Sequence, residues 1–147
     1  MKIYIASSWK NSGDCIRLAT YLRSKGHEID CFCEPREGRF IFSFDKLPNL
    51  NVHNGITIME IEEVQKAFQE DKKWIEWSDA VLLVLPCGKS AHLEAGYAKG
   101  GGKKLFIIGE FPKNEFDVMY GFADGLFNNI SDLTDALIDI EAANEGF

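Results

Sequence analysis

The stretch that most constrains the fold is a run of six apolar residues at 80–85, AVLLVL. The run lacks the alternation of a strand with one wet face, so it predicts a strand covered on both faces of a parallel sheet. Pro86 and Gly88 break the run, and a helix is predicted over 91–99. We therefore expect an α/β domain built around this strand.

Shorter patterns on both sides of this run alternate between strand and helix. Further strands are predicted at 2–6, 29–32, 105–108 and 125–127, and further helices at 15–25, 60–77 and from Ser131 onwards. This order predicts one domain over 1–147, a doubly wound (flavodoxin-like) sheet of five parallel strands. The expected strand order is 2-1-3-4-5, with helices on both faces. Within the poorly patterned segment 33–58, alternating Phe40, Phe42 and Phe44 indicate a short strand or hairpin.

Composition excludes several classes of function. A net charge of −7 without a long basic run argues against a nucleic acid polymer as partner. Four cysteines without a C-x-x-C pair and three dispersed histidines argue against a metal site, and no other cofactor is expected. No apolar run approaches ~18 residues, so no membrane is expected as a partner. The protein is predicted to be cytoplasmic, with reduced thiols.

Candidate site residues lie where strands of the predicted sheet end. Ligands of such sheets bind at the carboxyl ends of the strands, which here means segments 7–13, 86–94 and 109–120. Glu94 follows the central strand, and the partial positive charge of a helix start should keep its carboxylate ionised, as a nucleophile or base. An equally good interpretation is an acid that merely favours the helix dipole. Asp71 is a candidate general acid or sugar ligand, although most acids in such positions are solvated.

Two loops are candidates for substrate binding. In the first, Ser7 and Trp9 follow the first strand, where an indole ring is suited to stack on a planar base. In the second, Gly88-Lys89-Ser90 is similar to the end of a phosphate-binding loop. Leu83 stands where that motif requires glycine, so a nucleoside triphosphate is rejected. A turn that approaches a sugar or phosphate stays open, and so does an ordinary helix start with Ser90 as N-cap.

Four blocks, in order and spacing, resemble the nucleoside 2-deoxyribosyltransferase superfamily over nearly the whole chain. They are IYIASSW with Tyr4, DKKWIEWSDAVLLVLP beginning at Asp71, SAHLEAGYA with Glu94, and DVMY beginning at Asp117. The resemblance implies that Glu94 is the nucleophile and that Tyr4 hydrogen-bonds it. It also implies that Asp71 acts as acid/base or orients the sugar.

The same resemblance implies that Asp117, with Met119 nearby, binds the sugar 5′ end in a neighbouring subunit. A homodimer or higher homo-oligomer with shared sites is therefore expected. The apolar residues around Asp117 in segment 116–122 favour such an interface, although a core helix capped by Asp117 fits nearly as well. The superfamily usually carries Asn or Ser at position 117, and its monophosphate hydrolases carry Ser in place of Gly88. An anionic Asp117 would repel a 5′-phosphate.

The expected activity is cleavage or transfer of the N-glycosidic bond of a nucleoside or nucleotide, through a covalent glycosyl intermediate on Glu94. The nucleophile alone does not decide between a deoxyribosyltransferase and an N-hydrolase. One alternative is an NAD glycohydrolase, because TIR-like proteins also combine such a sheet with a catalytic glutamate. Another is a nucleotide-binding or sensing module with little turnover, which the unusual Asp117 favours.

Overall fold

A computed structural model describes residues 1–47 and 52–145 and shows one sheet with helices on both faces. The strands are β1 Lys2–Ala6, β2 Glu28–Cys31, β3 Ala80–Val84, β4 Lys104–Ile108 and β5 Gly125–Phe127. The helices are α1 Ser12–Ser24, α2 Glu62–Trp77, α3 Lys89–Gly100 and α4 Ile130–Glu145. All neighbouring strands are parallel, in the order β2-β1-β3-β4-β5. The predicted fold class, strand number and strand order are confirmed.

Strand β3 lies in the middle of the sheet, and each of its five residues is buried. Alternate residues of a strand point to opposite faces, so the sheet divides the core into two halves. On β1, Ile3 and Ile5 pack in the half covered by α1 and α4. Tyr4 and Ala6 pack in the half that contains residues of α2 and α3. The continuous apolar run at 80–85 is thus explained by helices on both faces.

The register of the sheet determines what lies beneath α2 and α3. Tyr4 pairs with Asp30 on β2 and with Val81 on β3. Residues paired across parallel strands present their side chains to the same face. A phenol and a carboxylate therefore enter an otherwise apolar half of the core, next to the helix that follows β3.

Several predicted element boundaries were wrong. Residues 40–44 form no strand or hairpin, and a 3-10 turn covers Phe44–Lys46 instead. Helix α3 begins at Lys89 with Gly88 as its N-cap, so Ser90 lies inside the first turn and is not the cap. Helix α4 begins at Ile130, before Ser131. Residues 48–51 of the unpatterned segment, and the end of the predicted domain at 146–147, lie outside the described residues.

The described residues contain neither a candidate membrane span nor a candidate metal site. In 1–47 and 52–145, no helix is both long and apolar enough to cross a bilayer. Over the same residues, no group of three or more His, Cys, Asp or Glu side chains is placed to hold a metal ion. The four cysteines are free thiols.

Candidate active site

Glu94 is held between a helix and the sheet. It is the sixth residue of α3 and so lies in the second turn of that helix. Its Oε2 accepts a hydrogen bond from the phenol of Tyr4, which is fully buried in the middle of β1. The parallel β1–β3 pairing places Tyr4 under α3, which explains how residues 90 positions apart meet.

Burial controls the protonation of Glu94. Loss of solvent raises its pKa to about 7, against the hydrogen bond from Tyr4, which lowers it. The nearby charge of Asp71 raises the pKa further. The helix start, which the sequence predicted to keep this carboxylate ionised, acts weakly here because its influence fades within the first turn, and burial acts against it. Near neutral pH, both protonation states of Glu94 are populated.

Tyr4 acts as a hydrogen-bond donor and not as a base. Burial raises the pKa of its phenol well above the ordinary value of 10.0, and the neighbouring charge of Glu94 raises it further. The phenol therefore stays protonated through the neutral range. It supplies one hydrogen bond to Glu94 without supplying a charge, which leaves the carboxylate only partly compensated.

Asp71 lies on α2, opposite α3. Its Oδ1 accepts a hydrogen bond from Arg39 Nη2 at 3.0 Å, and its side chain is 44% exposed. Burial of the carboxyl raises the pKa of Asp71, while the hydrogen bond and charge of Arg39 lower it. This acid is thus accessible and oriented by a cation.

Asp71 and Glu94 line the same cavity, which has a volume of about 560 Å³. That volume lies within the range of ~300–1,000 Å³ typical of small-molecule sites. The cavity has apolar walls interrupted by a few polar groups. Its lining consists of Met59, Phe68, Asp71, Lys72, Ile75, Ser90, Leu93, Glu94 and Tyr97. An apolar pocket with two carboxylates, one of raised pKa, is typical of a catalytic site.

Most of the residues predicted to bind substrate in the loops after β1 and β3 lie outside this cavity. The hydroxyl of Ser7 donates to the carbonyl of Val84 at 2.7 Å and so ties the loop to β3. The Trp9 ring makes an edge contact with Phe32, with ring centroids 5.4 Å apart. Gly88 is the N-cap of α3. Of the loop candidates, only Ser90 reaches the cavity.

Asp117 and Met119 also lie outside the cavity of their own chain. Asp117 is the N-cap of a 3-10 turn over Val118–Phe122, and its Oδ1 accepts a hydrogen bond from Met119 N at 2.8 Å. Tyr120 of this turn stacks on His92 of α3 and bonds its Nε2 at 3.1 Å. The turn is therefore attached to α3, while Asp117 and Met119 are exposed.

Arg39 is the member of the site that sequence reasoning missed. It lies in the poorly patterned segment, yet its side chain is only 1% exposed. The available signal was Asp30, an acid in the otherwise apolar end of a predicted strand. A carboxylate buried in a parallel sheet requires a cationic or hydrogen-bonding partner. That requirement pointed to one of the arginines at 36 and 39, which follow the strand.

The fold is similar to those of two enzymes of known structure. The 2-deoxyribosyltransferase of Bacillus psychrosaccharolyticus superposes with a TM-score of 0.60 and 20% identity, over 90% of each chain. The CMP N-glycosidase of Clostridium botulinum superposes with a TM-score of 0.54 and 16% identity, over 87% of this chain and 88% of the other. No family model and no curated protein matches the sequence. The chain thus shares the fold of these two enzymes.

Proposed function

We propose that the protein breaks the N-glycosidic bond of a nucleoside or nucleotide and carries the sugar as an ester of Glu94. The observation that carries the proposal is the partly buried Glu94 carboxylate, hydrogen-bonded to Tyr4, in the wall of a cavity shared with Asp71. The shared fold with a 2-deoxyribosyltransferase and a CMP N-glycosidase supports this class of substrate.

In the first step, the ionised Glu94 attacks the anomeric carbon. The hydrogen bond from Tyr4 occupies Oε2 and leaves Oε1 for the new C–O bond. The C–N bond breaks, and the base departs with its electron pair and takes up a proton, for which Asp71, the other carboxyl group of the cavity lining, is the candidate acid. A carboxylate with a raised pKa is more basic, and therefore more nucleophilic, than an ordinary one.

In the second step, water or another base attacks the anomeric carbon and the ester C–O bond breaks. Glu94 recovers its carboxylate, and the attacking group loses a proton to the site. Water as acceptor gives hydrolysis, and a base as acceptor gives transfer. Both outcomes use the same residues, so the acceptor and not the nucleophile defines the subtype.

The charges of the cavity favour a substrate without a 5′-phosphate. Lys72 is the one cationic side chain in the lining, and its Nζ already pairs with Glu76 at 2.7 Å. Asp71 and Glu94 supply negative charge to the same cavity. A phosphate dianion would meet repulsion without a free cation there, so nucleosides are the expected substrates.

We further propose that the active site is completed by a second copy of the chain. Segment 116–122 exposes four large apolar side chains, Phe116, Val118, Met119 and Phe122. A monomer gains nothing from such a patch, whereas an isologous interface buries it. Because Asp117 and Met119 do not line their own cavity, docking on a neighbour is the arrangement in which they serve the sugar.

A substrate panel tests the activity. Purified protein is incubated with deoxyribonucleosides, ribonucleosides, their monophosphates and NAD, and chromatography detects the released base. A fluorinated nucleoside should then leave a sugar adduct, seen by intact mass and mapped to Glu94. Base released only from NAD would replace the proposal with a glycohydrolase, and tight binding without release would replace it with a binding module.

Subunit complementation tests the shared site. Glu94→Ala and Asp117→Ala are each expected to be nearly inactive. After subunit exchange, the mixture should recover part of the activity, because one hybrid site contains both wild-type residues. A monomer by light scattering at working concentration would contradict the shared site, and so would absence of rescue after proven exchange between two inactive parents.

A further inference from the structure

The guanidinium of Arg39 lies at the centre of a buried polar cluster. Its Nε and Nη2 donate to the two oxygens of Asp30, at 3.0 and 3.2 Å. Nη2 also donates to Asp71 Oδ1 at 3.0 Å, and Nη1 donates to the carbonyl of Phe40 at 2.9 Å. One side chain thus joins the sheet, the segment after β2 and helix α2.

The geometry of this cluster leaves Arg39 little freedom. A two-bond fork between guanidinium and carboxylate defines the plane of both groups. Asp30 is itself fixed, because it is fully buried on β2 and pairs in register with Tyr4. The sheet therefore fixes the position of Arg39 Nη2, the atom that donates the hydrogen bond to Asp71.

Helix α2 is also tied to the same segment through the neighbour of Asp71. Glu70 Oε1 accepts hydrogen bonds from the backbone N–H of Phe40 at 3.2 Å and from Trp74 Nε1 at 3.0 Å. Arg39 Nη1 lies 3.8 Å from the same oxygen. Within the described residues, the hydrogen bond from Arg39 is the one polar contact that orients the Asp71 carboxylate.

We infer that Arg39 is a positioning residue of the active site, which uses its fork on Asp30 to aim the Asp71 carboxylate into the Glu94 cavity. The inference rests on the proposed function and adds to it a residue outside the cavity lining. Asp71 is 44% exposed, so without this contact its carboxylate is free to rotate into solvent. A misplaced acid slows glycosidic cleavage even when the nucleophile is intact.

Arg39 also acts through its charge. Its positive charge lowers the pKa of both Asp71 and Glu94. The ionisable groups that surround it from each packed element are Tyr4 of β1, Asp30 of β2, Arg36 of the following segment, Glu70 and Asp71 of α2, and Glu94 of α3. Loss of Arg39 leaves the carboxylates less compensated, so Glu94 should ionise at a higher pH.

Three variants separate positioning from folding. Arg39→Met removes the guanidinium, while Arg36 Nη2, 2.6 Å from Oδ1, still compensates the buried carboxylate of Asp30. Arg39→Lys keeps the charge but loses the planar fork. Arg23→Met is the matched control, because Arg23 makes a similar fork, with distances of 2.9 and 2.5 Å to Glu34, between α1 and the same segment.

Arg39→Met should keep the wild-type circular dichroism spectrum, with kcat lower by about tenfold to a hundredfold. The acid limb of its pH–rate profile should move to higher pH. Arg39→Lys should lower kcat with a smaller shift of that limb, because it retains the charge. Arg23→Met should leave kcat and the pH profile unchanged.

A second readout needs no substrate. The carboxyl carbon of Glu94 is titrated by NMR in the wild type, the control and the Arg39 variants, and its titration midpoint should rise in Arg39→Met. If the wild type releases base from no nucleoside, the proposed function is refuted. If Glu94 titrates at the same pH in the wild type and in Arg39→Met, the role of Arg39 is refuted. A folded Arg39→Met variant with wild-type kcat would also overturn the inference. If Arg39→Met does not fold, wild-type kcat in Arg39→Lys overturns it.

Discussion

Two carboxylates enter the same half of the core, and their surroundings differ. Asp30 is fully buried, and two arginines contact it: Arg36 Nη2 at 2.6 Å from Oδ1 and the fork of Arg39. Glu94 is also largely removed from water, but its partner on the sheet is the neutral phenol of Tyr4. A buried carboxylate whose negative charge is neutralised by arginines forms a structural ion cluster. A carboxylate that is removed from water and has only a neutral hydrogen-bond donor as partner has a raised pKa. The comparison makes Asp30 a structural acid and Glu94 the acid with the raised pKa.

The largest expected effect is on catalysis at Glu94. Glu94→Ala should lower base release by roughly a thousandfold or more, because it removes the atom that bonds to the sugar. Its free energy of unfolding should fall by only about 1–3 kcal/mol, because the buried Tyr4 hydroxyl loses its acceptor but no buried charge is stranded. Glu63→Ala, an exposed acid on α2, is the matched control. Undiminished base release by Glu94→Ala would end the assignment of the nucleophile.

Asp30 should show the opposite behaviour. Asp30→Ala strands two arginines in the core and should lower the free energy of unfolding by about 3 kcal/mol. Urea denaturation measures the change, with Glu28→Ala, an exposed acid on the same strand, as control. If the free energy of unfolding falls by less than about 1 kcal/mol, the Asp30 cluster contributes no more than a surface ion pair does. Asp30 would then not differ from Glu94 as a structural acid.

The raised pKa of Glu94 also predicts how stability changes with pH. A carboxyl with a pKa of about 7 in the folded chain, against an ordinary 4.5, favours folding when it is protonated. That contribution is complete below pH 4.5 and is lost as the pH rises through 7. Relative to Glu94→Gln, the wild type should therefore lose on the order of 2 kcal/mol of unfolding free energy between pH 5 and 8. Parallel stability curves for the two proteins would contradict the raised pKa.

The smallest expected effect concerns the hydrogen bond from Tyr4. This bond lowers the pKa of Glu94, so Tyr4→Phe should move the acid limb of the pH–rate profile to higher pH. A hydrogen bond to a charged group contributes ~1.5–3 kcal/mol, which predicts a rate about tenfold lower at pH 7. Tyr21→Phe on the exposed face of α1 is the control. An unmoved profile would show that Tyr4 does not set the ionisation of Glu94.

The local sequence was sufficient for the elements and for the central residues of the site. The apolar run at 80–85 predicted a strand covered on both faces, and the alternation of strands and helices predicted the sheet order. The motif blocks pointed to Tyr4, Asp71 and Glu94, which the structure brings to one place. The shift in the pKa of Glu94 was not predictable in this way, because desolvation depends on packing from α2, α3 and the sheet together.

The chain alone determined the parallel sheet, its order and the position of the carboxylates at its carboxyl edge, because hydrophobic period and turn residues act over a few neighbours. Only the tertiary structure decided which acid is compensated by arginine and which by a phenol. Those partners lie 9, 32 and 90 positions apart along the chain. Contacts at such separations depend on strand register and helix packing, and they are what distinguishes the arginine-paired Asp30 from Glu94, whose pKa is raised.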